Sequence, residues 1–110
     1  MNLLFRKKPR LQALAEVLED GLEITNREMK KMKYNRYQGA EPMVLIAVRV
    51  QSRDEPPFEV KMKTGISLTY LLKPGVQVQV KYSPGGKGPV ILDDDLQSIL
   101  ERNPQLFKKL

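Results

Sequence analysis

A chain of 110 residues suits one hydrophobic core, and with no cysteine and no histidine it lacks disulfides, thiolate zinc sites and the imidazole used by Ser-His and Cys-His nucleophile pairs. The 19 Lys and Arg against 13 Asp and Glu leave a formal charge of +6, which favours acidic partners such as nucleic acid, anionic lipid or an acidic protein surface.

The opening Met1-Asn2-Leu3-Leu4-Phe5 runs at once into Arg6, Lys7, Lys8 and Arg10, too short an apolar run for a signal peptide or a membrane span. It reads as a helical lead-in, with at most a weak touch on an anionic membrane surface, and the expected setting is cytoplasmic. Leu11, Leu14, Ala15 and Leu18 then fall at i, i+3, i+4 and i+7, which predicts a helix from about Pro9 to Asp20, with Pro9 in its first turn and Gly21 as its C-terminal cap. Residues 22–37 support two readings. Leu22 and Ile24 alternate with polar residues as in a strand, while Thr25-Asn26-Arg27-Glu28 resembles a capping box opening a helix. The thin apolar stripe and the Tyr34-Asn35-Arg36-Tyr37 ending favour a long, bent strand.

Met43 to Val50 is a short β-branched run that suits a central strand covered on both faces, and Ser52 to Pro57 turns the chain. Phe58 to Lys63 returns in strict alternation with Phe58, Val60 and Met62 toward the core, and Thr64-Gly65 ends it. Ile66 to Leu72 fits a strand or a helical turn before Lys73-Pro74-Gly75. Val76 to Tyr82 alternates without a fault; Ser83 to Pro89 is a loop by composition; Val90-Ile91-Leu92 adds a strand. Asp93, Asp94 and Asp95 sit where a helix start wants carboxylates, so Leu96, Ile99 and Leu100 predict a short closing helix ended by Asn103-Pro104, followed by the semi-apolar Leu106, Phe107 and Leu110. The expected architecture is one mainly β (α+β) domain over 1–110: a helical lead-in (1–20), a β-core (21–93) forming a small antiparallel barrel or curled sheet of four to six strands, and a C-terminal helix and tail (94–110).

The segment Leu72-Lys73-Pro74-Gly75-Val76-Gln77-Val78-Gln79-Val80-Lys81-Tyr82-Ser83-Pro84, with Pro42-Met43-Val44-Leu45 upstream, resembles small barrel-like β-domains of uncharacterised bacterial proteins, in which a Leu-Lys-Pro-Gly type of turn feeds a Val-alternating strand ending Tyr-x-Pro. The likeness covers roughly residues 21–93 and implies a compact barrel, often attached to a membrane protein, with no activity to transfer. The chain departs from the pattern in lacking a transmembrane segment and in its basic stretch from Arg27 to Arg36.

That stretch carries the sharpest functional pattern. Arg27, Lys30, Lys31, Lys33 and Arg36 interleave with Tyr34 and Tyr37, cations for phosphates and rings for unpaired bases, although on a strand only alternate residues would share a face. Solvated or edge-protecting lysines and an acidic protein surface explain the same residues. Asp93–Asp95 are better read as caps than as ligands of a divalent cation, and Gly85-Gly86-Lys87-Gly88 lacks the Gly-Lys-Ser/Thr order of a phosphate loop. No catalytic, metal or cofactor residues are expected. The expected role is a non-enzymatic protein-interaction or self-association module, the alternative a nucleic-acid-binding small barrel using residues 27–37.

Overall fold

The computed structural model describes residues 11–31, 41–53, 55–83 and 89–109. Five strands form a closed barrel: β1 (Leu11–Val17), β2 (Met43–Gln51), β3 (Phe58–Gly65), β4 (Gln77–Tyr82) and β5 (Val90–Leu92), in the order β1-β2-β3-β5-β4 with β4 returning to β1. Pairing is antiparallel throughout except for β5 on β3, where Met62 and Lys63 lie beside Val90 and Ile91 in parallel register. This is the strand order of an OB-type Greek-key barrel. Closure removes the sheet edges wherever neighbouring strands overlap and encloses one core, in which Val17, Ile46, Val48, Val50, Met62, Val78 and Val80 are fully buried.

The first element corrects the sequence expectation, since residues 11–17 form a strand and not a helix. The helical stripe of Leu11 and Leu14 coincides with an alternation of Ala13, Ala15 and Val17, and only the second pattern points inward: Ala15 and Val17 are buried, Leu11 and Leu14 exposed. The second element is the reverse correction. Residues 21–31 form helix α1 (Gly21–Lys31) instead of a bent strand, with Gly21, Ile24 and Thr25 at i, i+3 and i+4 on its buried face. Its start lies before the Thr25 capping box. The Asp20 carboxylate accepts the Glu23 N–H at 3.0 Å, and Glu23 stands at the third helical position of an Asp-x-x-Glu box. Gly21 therefore opens a helix. It cannot carry a side chain there, because a Cβ would lie 2.5 Å from the Thr69 carbonyl oxygen.

β2 alternates buried and exposed residues, so it is covered on one face and not on both. β3 continues through Thr64 and Gly65, and of the two readings for 66–71 the helical one holds, as the 3₁₀ turn η1 (Ile66–Leu71). There the buried Thr25 hydroxyl donates to Thr69, whose own hydroxyl donates to the Ile66 carbonyl, fastening α1 to η1. Gly75 has φ of 94°, a left-handed turn ahead of β4. The closing helix α2 (Leu96–Arg102) starts as expected on Asp95, whose side chain accepts the Ser98 N–H, and η2 (Pro104–Lys109) follows. Asn103 between them is 1% exposed and makes three 2.7 Å bonds: it accepts from Gln77 N–H and donates to the Gln77 and Ile99 carbonyls. α2 is thereby stitched to the start of β4, with Ile99 in the core. No helix among the described residues is long and apolar enough to cross a membrane.

Candidate interaction surfaces

Of the basic-aromatic residues, Arg27, Lys30 and Lys31 lie on α1, whereas Lys33, Tyr34, Arg36 and Tyr37 fall outside the described residues. The helix puts Arg27, Lys30 and Lys31 at i, i+3 and i+4, on one face, where a strand would have divided them. Two of the three are matched by neighbours on the same helix. Arg27 meets Glu23 at 3.4 Å and Lys31 meets Glu28 at 3.3 Å, both in solvent.

The outer face of β1, β2 and β3 is ordered in rows by the register. One row reads Glu16, Arg49, Glu59, with Arg49 at 3.5 Å from Glu16 and 3.0 Å from Glu59. The next reads Glu19, Ala47, Lys61, with Lys61 at 3.4 Å from Glu19. The last rows are Leu45 beside Lys63 and Met43 beside Gly65, and here the first strand has ended. Cations and carboxylates therefore alternate across the face, and no aromatic side chain projects from it among the described residues.

At the bottom of that face β2 outruns β1. The last β1-side bonds to β2 are at Ala47, whose carbonyl accepts from Leu18 N–H at 2.9 Å and whose N–H donates to the Glu19 carboxylate at 2.7 Å. That N–H is the main reason the Glu19 carboxyl lies below the usual carboxylate range, with Lys61 and Arg27 adding to it against the cost of burial. Because alternate residues of a strand turn their N–H and C=O groups to the same side, Leu45 and Met43 present theirs to the edge that Ala47 shares with β1. No described residue bonds that edge at Met43 or Leu45. Their side chains are 47% and 53% exposed. Sequence reasoning missed this edge because Met43 to Val50 is apolar on both faces; only the position where β1 stops reveals it.

At the other end β1 and β2 diverge, since β1 pairs with β4 from Leu11 but with β2 only from Leu14. The gap is a recess of about 470 Å³ lined by Gln12, Gln51, Ser52, Arg53, Gln79 and Tyr82, with the Tyr82 hydroxyl bonded to Ser52 at 3.0 Å.

The three consecutive aspartates do separate jobs. Asp93 takes Gln12 and Lys81, Asp94 takes the Gln79 N–H and Arg102, and Asp95 caps α2, its carboxyl lowered chiefly by the Ser98 N–H. Among the described residues no three acids gather as a metal site. The loop with Gly85, Gly86, Lys87 and Gly88 lies outside the described residues.

Charge is segregated along the chain. Residues 1–10, 32–40, 54 and 84–88 hold seven of the 19 cations and one of the 13 anions, which leaves the described residues with twelve of each. The net +6 thus belongs to those segments and the described barrel is neutral. Set against protein-family models, curated proteins and solved structures, the chain matches none.

Proposed function

We propose that this barrel is a non-enzymatic interaction module that self-associates by pairing the free edge of β2 with the same edge of a second copy. The carrying observation is the overhang at Met43 and Leu45, where main-chain groups that no described residue pairs coincide with two exposed apolar side chains. An antiparallel pair about a two-fold axis sets Leu45 of one copy opposite Met43 of the other, so the same patch satisfies both sides. The outer barrel face supports this reading over a ligand-binding one, because Arg49 and Lys61 are already matched by Glu16, Glu59 and Glu19 and only Lys63 is left over among its described cations. Sedimentation velocity across about 1–300 μM is the test, since short interfaces are weak. A dimer is expected at the upper end. Leu45→Lys, which sets like charges close to the axis, should leave a monomer with unchanged thermal stability. A native chain that stays monomeric throughout that range refutes the proposal.

A second reading, nucleic-acid binding, is favoured by one observation: the excess cations lie in segments joined to a neutral barrel of OB-type strand order. In such barrels the faces of the second and third strands carry the strand of nucleic acid. Here that face offers neither stacking rings nor free cations in number, so Arg27, Lys30, Lys31, Lys33, Tyr34, Arg36 and Tyr37 would have to supply the contacts. The discriminating measurement is an oligonucleotide shift that weakens steeply with salt and is lost in Lys31→Glu with Lys33→Glu.

A further inference from the structure

We propose that the segment Leu3 to Arg10 docks on the exposed groove between α2 and η2 of its own chain. The groove encloses about 570 Å³, within the range of concave binding sites, and its floor is Leu96, Leu100 and Phe107. Leu96 is 43% and Phe107 56% exposed, so apolar surface is left in water. Asp95 and Glu101 stand on its rim. Among the residues whose side chains are described, which end at Phe107, neither has a cationic partner: Asp95 accepts the Ser98 N–H and Glu101 accepts the Gln97 side-chain amide at 3.2 Å.

The segment has the complementary order. Leu3, Leu4 and Phe5 supply apolar side chains, and Arg6, Lys7, Lys8 and Arg10 supply the charges that Asp95 and Glu101 lack. Lys108 and Lys109, which follow Phe107, are the competing cations. Proximity is set by the barrel. Gln12, next to the start of β1, donates to Asp93 at 3.2 Å, and Asp95 is two residues beyond Asp93. Ten residues can extend to about 33 Å, enough to double back from Leu11 to α2. Tethering gives the groove this ligand at roughly millimolar effective concentration, where modest apolar burial and two surface ion pairs suffice. The inference is independent of the β2 edge, which lies on another part of the barrel.

Hydrogen exchange of the full chain, read at the amides of residues 3–8, tests it. In the native chain these amides should exchange slower than in an unstructured peptide. Leu96→Asp and Glu101→Lys, both at exposed helical positions, should each speed them by about three- to tenfold, and adding Lys7→Glu to Glu101→Lys should restore part of the protection. Random-coil exchange in the native chain overturns the proposal. So does protection that survives both groove substitutions, which would place the segment elsewhere. Protection that disappears on dilution from about 100 μM to 1 μM overturns docking within one chain in favour of exchange between copies.

Discussion

Asn103 shows how much one buried side chain can hold. It satisfies both main-chain groups of Gln77, where β4 begins without a strand partner on that side, and also an α2 carbonyl. Asn103→Ala would leave the partly buried N–H and C=O of Gln77 without that partner, and a loss of about 1–3 kcal/mol in chemical denaturation is expected. Gly21 is constrained by space, since the Thr69 carbonyl oxygen occupies the position of a side chain. Gly21→Ala should cost about 1–3 kcal/mol, because backbone must move, even though alanine favours helix in general. A melting temperature equal to that of the native chain would show that η1 yields freely. Neither role could be read from sequence: Asn103 looked like a helix stop and Gly21 like a helix end, and only the neighbour brought up by the fold distinguishes a stop from a clamp.

At the level of elements, the strands from Met43 onward were legible on two signals: β2 as a short β-branched apolar run bounded by turn residues, and β3 and β4 as alternation of apolar with polar residues over about six positions. Residues 11–31 were not. In Leu11 to Val17 the period of two is carried by alanines, whose small apolar weight hides beneath Leu14, which turns outward, and Leu11, which shares the inward phase but is exposed at the strand's end. In α1 the buried stripe is three residues wide and includes a glycine and a threonine, so its helical period is faint. The signal that could have found it is the Asp20-Gly21-Leu22-Glu23 box. Asp20→Ala should therefore destabilise the protein by about 1 kcal/mol, with the loss of amide protection concentrated in the first turn of α1. The basic cluster was half legible for the same reason. Its residue types were plain, but whether Arg27, Lys30 and Lys31 face one way depends on helix against strand.

For the whole molecule the barrel architecture was legible and the charge distribution was not, because a net +6 says nothing of where the neutral part lies. Acid should weaken the fold in a definite window. Glu19, Asp20 and Asp95 each accept a main-chain N–H first and foremost, and each carboxyl lies below its ordinary range in the folded chain. Their contribution is complete above the ordinary carboxylate range and is lost as pH falls from about 4 through the lowered values. Urea midpoints should thus be flat between about pH 7 and 5 and drop toward pH 3, with a shallower drop in Glu19→Gln combined with Asp20→Asn. Barrel closure has its own consequence for synthesis. Until Val90 to Leu92 inserts between β3 and β4, the chain is an open row of four strands with a free flank at either end. A transcript truncated before codon 90 would release that row unsealed, the state in which nascent chains stick to one another.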